Sequence, residues 1–167
     1  MTQSFETLLY EQRGAVAIIT MHRPDKLNAC NTHMYKELTG LLGTIDQDQE
    51  IRAIIITGTG DRAFSAGADL DELDFANLRE SSDYIKIDAT AFRAMENVRQ
   101  PVIAAVNGAA IGYGCKVAII SDLTVASETA RFSLPGATFG AVHKIMLGRA
   151  REVMGRKRLA EMLMTGK

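Results

Sequence analysis

Two short glycine-bearing stretches carry the residues best suited to chemistry. FSAGAD, residues 64–69, follows the apolar run AIIITG, and NGAAIGYG, residues 107–114, follows VIAAV. Small residues after a strand let a ligand approach the main chain closely, and a helix starting there points its free N–H groups at whatever binds, which favours anions. Both bends therefore offer main-chain donors, although tight strand-to-helix turns alone would also require such glycines. Lys116 falls in the first turn of the helix after the second bend. There it would either bind an anionic group or donate a proton, or it would turn its long stem and leave the ammonium in solvent. His143 falls in a later loop, as an acid or base or as an ordinary loop histidine. Tyr113 and Cys115 read chiefly as packing residues, His22 and His33 as structural or surface groups, and Asp71 with Glu72 as a solvated helix face.

The elements that must hold these bends follow from the apolar pattern. FETLLYEQ and AVAIITMH read as a hairpin joined at Arg13-Gly14, and the second run ends at Arg23-Pro24, where proline stops the ladder. Met34, Leu38, Leu41, Leu42 and Ile45 recur at helical spacing, with Asn31 or Thr32 available as the N-cap. RAIIITGTG predicts a buried strand, and DRAFSAGADLDEL a loop. A second helix is expected from about Ser82 to Val98, with Tyr84, Ile87, Ala91, Met95 and Val98 on one face. PVIAAVNG then reads as a strand, AAIGYGCKVAIIS as a turn and apolar helix, and DLTVASE and RFSL as strands. From about Ile145 the chain reads as helical with an interruption at Gly155. Helices interspersed among strands predict an α/β class.

Composition narrows the setting. A chain of 167 residues that is 47% hydrophobic and 23% charged predicts one globular domain over 1–167 with a substantial core. A net charge of −1 gives no bulk reason for a polyanionic partner. No apolar run is long enough for a membrane span, and the N-terminus lacks a secretory pattern, so a cytoplasmic protein is expected. Cys30 and Cys115 have no metal-like spacing and read as free thiols, and no metal site is expected.

Taken together, RPDKLNA, AFSAGADLDEL and PVIAAVNGAAIGYGCKVAIISDLTVASETARFSLPGATFG stand in an order and spacing that resembles the enoyl-CoA hydratase/isomerase family, also called the crotonase family, over nearly the whole chain. The resemblance implies a crotonase-like spiral of repeated ββα units, an acyl-CoA substrate, no prosthetic group beyond the coenzyme A carried by that thioester, and an oxyanion hole of two backbone N–H groups. On the matching positions the donors are the amides of Ala68 and Tyr113. The carbonyl of Ala66, with Asp69 and Leu70, falls where the family holds the adenine and pantetheine end, and Lys26 lies in the loop lining the same groove. A donor aimed at a developing enolate oxygen is worth about 2.7–4 kcal/mol in the transition state. Tyr113 stands where relatives commonly have glycine, so its ring must enter the acyl pocket or turn outward.

The departures shape the expected reaction. The family's hydratases use two glutamates, and the matching positions here are Lys116 and Gly136, which predicts a poor standard hydratase and disfavours an isomerase working through the second acid. Decarboxylation of a malonyl-type thioester fits these residues better, because loss of CO₂ yields the enolate directly and leaves Lys116 or His143 for the carboxylate or the proton. A non-catalytic acyl-CoA-binding or assembly protein of the same fold is the alternative. Asp71 stands where relatives present a lysine toward the cofactor phosphates. Arg149, Arg151, Arg156, Lys157, Arg158 and Lys167 make the C-terminal end basic; some family members bind RNA, but a solvated face or a cofactor phosphate contact is expected, and nucleic acid is not an expected partner. MLMTGK resembles the helix end after which relatives continue into helices that cover the site and build trimers. The chain is then a fragment or a natural short form, assembling as a homo-oligomer through the apolar surface left bare.

Overall fold

In Val16–Met21, Ala53–Gly58 and Val102–Val106 every second residue is buried, so one face of each strand packs inward; Ala17, Ile19, Met21, Ile54, Ile56, Val102, Ala104 and Val106 supply that face. These three strands form the middle of a five-stranded sheet in a computed structural model that describes residues 5–73, 78–139 and 147–166. The chain makes four consecutive strand–strand–helix turns. They are β1 (Leu8–Arg13), β2 (Val16–Met21) and α1 (Thr32–Gln47); β3 (Ala53–Gly58), β4 (Ala63–Ser65) and α2 (Leu78–Asn97); β5 (Val102–Val106), β6 (Ala109–Ile111) and α3 (Tyr113–Ile120); and β7 (Leu123–Ala126), β8 (Arg131–Ser133) and α4 (Leu147–Thr165). Short 3-10 turns at Pro24–Lys26, Leu70–Glu72 and Pro135–Phe139 join the pieces.

The large sheet has the order β1-β2-β3-β5-β7, antiparallel only at the β1–β2 hairpin, where Gly14 takes a φ of 58°. The second sheet, β4-β6-β8, is parallel throughout. Each turn after the first thus adds one strand to each sheet, and successive helices pack on one another, α1 on α2, α2 on α3 and α3 on α4. This is the α/β class read from the sequence, wound as the spiral of ββα units that the family resemblance implies.

The core gathers Met34, Tyr35, Leu38, Leu41, Leu42 and Ile45 of α1 and Ala91, Phe92 and Met95 of α2 against the inner face of the large sheet. Asn31 caps α1, its Oδ1 accepting the Met34 N–H at 2.9 Å. All eight residues of α3 are buried, as befits a helix apolar on nearly every side. A smaller cluster of Cys115, Ile119, Leu134, Ala150, Leu159 and Met162 joins α3 to α4.

Three features differ from the expectation. The loop read over 61–73 contains β4, and the turn before α3 contains β6. Both strands are three residues of mostly small side chains, with too little length and alternation to register as strands. Helix α2 begins at Leu78 rather than near Ser82. The interruption expected at Gly155 is present as a non-helical residue with φ 76° inside α4.

Candidate functional site

The small sheet brings the two glycine bends side by side. Pairing of β4 with β6 sets the stretch after Ser65 next to the stretch after Ile111. A Cβ built on Gly67 would lie 3.0 Å from the Ile111 carbonyl oxygen and 3.7 Å from the Gly112 Cα. Gly67 and Gly112 take φ of 104° and 50°, which side chains strongly disfavour. Gly114 matters through contact instead: a Cβ there would meet the Ser65 carbonyl at 2.8 Å, so only glycine lets the first turn of α3 sit on β4.

In the first bend the main-chain amides are nearly all committed. Ala66 N–H donates to the Leu27 carbonyl at 2.9 Å, Gly67 N–H to Ser65 Oγ at 3.2 Å, and Asp69 N–H to the Cys30 carbonyl at 2.9 Å. Cys30 N–H returns to the Gly67 carbonyl at 2.7 Å. This single parallel bridge between Cys30 and Ala68 turns the Ala68 amide away from Cys30. Among the described residues the Ala68 N–H finds no acceptor. In the second bend Gly112 N–H donates to the Ser133 carbonyl at 2.8 Å, while Tyr113 N–H, at the first position of α3, likewise finds none. Two unpaired amides in touching glycine bends, one at a helix start, can hold a negatively polarised oxygen.

The residues expected around the cofactor arm take three different situations. The Ala66 carbonyl accepts no hydrogen bond among the described residues, and the Leu70 side chain is 53% exposed, so both are open to a ligand. Asp69 is committed: its Oδ2 meets Arg23 Nη1 at 2.7 Å, Oδ1 accepts the Asp71 N–H at 3.2 Å, and Arg23 also reaches the Ala29 carbonyl at 2.7 Å. Burial works to raise the Asp69 carboxyl, but the Arg23 hydrogen bond, the Asp71 amide and the nearby cations outweigh it and hold the group below its usual range. Lys26 pairs with Asp71 at 2.8 Å, and that hydrogen bond raises the ammonium. The pair cancels the negative charge expected to oppose cofactor phosphates. Glu72 is no free surface acid either, since its Oε2 accepts the Thr32 N–H at 2.6 Å at the start of α1.

Beneath the second bend lies a buried polar cluster. The Tyr113 ring, 2% exposed, turns inward and packs 4.7 Å from Tyr35 and 5.0 Å from Phe92, centroid to centroid; its hydroxyl finds no partner among the described residues. Tyr35 and Tyr84 share a 3.0 Å hydroxyl contact, and Tyr84 donates to the Cys30 carbonyl at 2.9 Å. Lys116 does not reach solvent. It is 3% exposed, donates to Asp88 Oδ2 at 3.1 Å, and sits 5.0 Å from the Phe92 ring centroid. Burial pushes the Asp88 carboxyl up against the pull of Lys116, and burial pushes the Lys116 ammonium down against the pull of Asp88. Removing one partner of such a buried pair costs about 3–5 kcal/mol.

The remaining candidates stand apart. Cys115 and Cys30 are buried, and desolvation pushes each thiol up to about 12, so neither is a ready nucleophile. His22 Nδ1 contacts Thr59 Oγ1 at 2.9 Å, and His33 sits by Glu37 at 3.1 Å on the surface. His143 lies outside the described residues. Gly136 lies in the Pro135–Phe139 turn. In the basic segment, Arg149 meets Glu96 at 3.6 Å and Arg158 meets Glu161 at 3.0 Å. Among the described residues no helix is long and apolar enough to cross a membrane, and no group of three or more His, Cys, Asp or Glu could hold a metal ion.

Asp88 is the residue that the sequence reading passes over. Its signal is faint but present: an acid beside the apolar stripe Tyr84, Ile87, Ala91 and Met95 of α2, matched by one lysine inside the otherwise apolar α3.

Architecture and bends together define a crotonase-like α/β spiral. The family model for enoyl-CoA hydratase/isomerase matches residues 11–167, and the chain belongs to that family. A short-chain-enoyl-CoA hydratase of Clostridium acetobutylicum is 41% identical over 133 residues, covering 80% of this chain and 51% of that protein. A probable enoyl-CoA hydratase of Rhizobium meliloti is 38% identical over 166 residues, covering 98% of this chain and 63% of that protein. The crystal structure of an enoyl-CoA hydratase/carnithine racemase from Magnetospirillum magneticum superposes with a TM-score of 0.93 at 31% identity, over 99% of this chain and 63% of that one. The chain thus spans between about half and two thirds of the relatives it matches.

Proposed function

We propose that the chain binds an acyl-CoA thioester and stabilises its enolate, with the thioester oxygen held between the amides of Ala68 and Tyr113. The observation that carries this reading is the pair of uncommitted amides in two touching glycine bends. As charge moves onto the thioester oxygen, both donors strengthen their hold without reorganising, because β4, β6 and the start of α3 already fix them. The coenzyme A arm runs past the open Ala66 carbonyl and Leu70, with Lys26 close by on the neighbouring loop and Asp69 shaping the bend rather than binding directly.

Within the hydratase/isomerase group the buried cluster favours proton chemistry over decarboxylation. A malonyl-type substrate would need a free cation for its carboxylate, and Lys116 is already paired with Asp88. The test is calorimetry with acetyl-CoA beside a crotonyl-CoA hydration assay. Binding with turnover supports the enzyme; binding without turnover of crotonyl-CoA or methylmalonyl-CoA supports a non-catalytic acyl-CoA-binding protein; failure to bind acetyl-CoA overturns both.

A further inference from the structure

An enolate held by two amides still needs a proton taken up and a proton delivered. Tyr113 and Lys116 stand three residues apart on α3 and so share a face, separated by about 4.5 Å along the axis. Asp88 and Phe92, four apart on α2, form the facing surface. The Phe92 ring joins the two, with its centroid 5.0 Å from the Tyr113 ring and 5.0 Å from Lys116 Nζ. Asp88 spends only one oxygen on Lys116, at 3.1 Å; among the described residues its buried Oδ1 finds no hydrogen-bond partner, and neither does the buried Tyr113 hydroxyl. Buried polar atoms are normally satisfied, and a carboxylate oxygen left over from a buried pair is a strong acceptor held ready for a donor.

We propose that Asp88 and Lys116 are the proton-transfer pair of this site, Asp88 taking a proton from water and Lys116 delivering one to the substrate's α-carbon. The inference rests on the acyl-CoA reading above. Water loses an O–H bond to Asp88 Oδ1 as its oxygen bonds to the β-carbon of an enoyl thioester, and the π electrons move to the thioester oxygen between the two amides. The enolate then collapses, forming a C–H bond at the α-carbon with a proton from the Lys116 ammonium. The Asp88 carboxyl group then turns its protonated oxygen toward Lys116 Nζ and returns the proton there, which restores the pair; the sum is one water added across the double bond. Burial moves both groups in the directions this relay needs, a carboxylate made more basic and an ammonium made more acidic.

A purely structural ion pair makes a different prediction, because replacing both members with apolar residues preserves packing without the charges. With the proposal correct, Asp88→Asn lowers kcat for crotonyl-CoA hydration by at least about 100-fold while the Kd for acetyl-CoA stays within about threefold. The double variant Asp88→Leu/Lys116→Met folds and binds acetyl-CoA but stays inactive, and it decides the matter if the single variant fails to fold. Wild-type chain in D₂O incorporates deuterium at the α-carbon, a readout that needs no variant. Recovery of hydration in the double variant, or Asp88→Asn turning over like wild type, overturns the proposal. Wild type that binds acetyl-CoA but neither hydrates crotonyl-CoA nor incorporates deuterium overturns the proton pair and leaves the binding reading standing. Wild type that fails to bind acetyl-CoA overturns the reading beneath it.

Discussion

The two sheets of the spiral are built from opposite materials. The middle strands of the five-stranded sheet, β2, β3 and β5, set a row of apolar residues against α1 and α2, and Ile54 and Ile56 in β3 are essentially inaccessible. The three-stranded sheet is short, and where β4 and β6 pair it carries the small residues Ala63, Ser65, Ala109 and Ala110, with Phe64 as the one large side chain it sends into the core from β4. The middle of the large sheet supplies the longer apolar face of the main core; the small sheet brings two bends of the main chain within contact. Stability and site geometry are thereby assigned to different strands, and substitutions should separate them.

The largest effect is expected in the large sheet. Ile54→Ala should lower the unfolding free energy by about 2–5 kcal/mol in a urea titration, through lost apolar burial and the cavity left behind. Acetyl-CoA affinity of the folded fraction should be unchanged, and an equal loss of affinity would erase the distinction. Gly114→Val reverses the pattern. Its Cβ must push against the Ser65 carbonyl, 2.8 Å from the ideal position, so stability falls by about 1–3 kcal/mol. Calorimetry should show acetyl-CoA binding weakened by at least about tenfold, the equivalent of about 1.4 kcal/mol, because β4 and α3 are forced apart.

The smallest effect concerns the bend itself. Asp69 is held by Arg23 below its usual carboxyl value of 3.8, so the folded protein gains stability from its ionised form that is fully present above that value. As pH falls below 3.8 and through the lowered native value, the unfolded chain takes up the proton first and this contribution is lost. Urea titrations at pH 6 and at successively lower pH should show that loss in wild type, with Asp69→Asn flatter over the same window. Equal slopes would place the Arg23–Asp69 contact outside the energetics of the bend.

Most of the large sheet and its helices was legible in the sequence because alternation and helical spacing mark a buried face directly; Ala17, Ile19 and Met21, or Leu38, Leu41, Leu42 and Ile45, declare their inward side by period alone. The glycine bends were legible for a related reason, since Gly67, Gly112 and Gly114 occupy places where a side chain is strained or collides. Strands β4 and β6 were not legible, because three residues, two of them small in each strand, carry no period. Tertiary packing alone sets the direction of the Tyr113 ring, by way of Tyr35 and Phe92. The Asp88–Lys116 pair hides for the deepest reason: its partners lie on different helices, and neither residue is unusual on a helix until the other is seen facing it. The roles of Ala68, Ala66 and Lys26 come from the family resemblance, and that of His143 falls outside the described residues.

The serial winding of the fold has a consequence for how the protein comes into being. Each helix leans on the one before it, and after the hairpin each new strand of the large sheet is laid beside one formed earlier. A nascent chain can therefore close its loops in the order in which they leave the ribosome. The Ala68 amide belongs to the second winding and the Tyr113 amide to the third. The two amides of the proposed oxyanion site consequently come together in one late step, when residues 113–120 dock onto a partner waiting since residue 68.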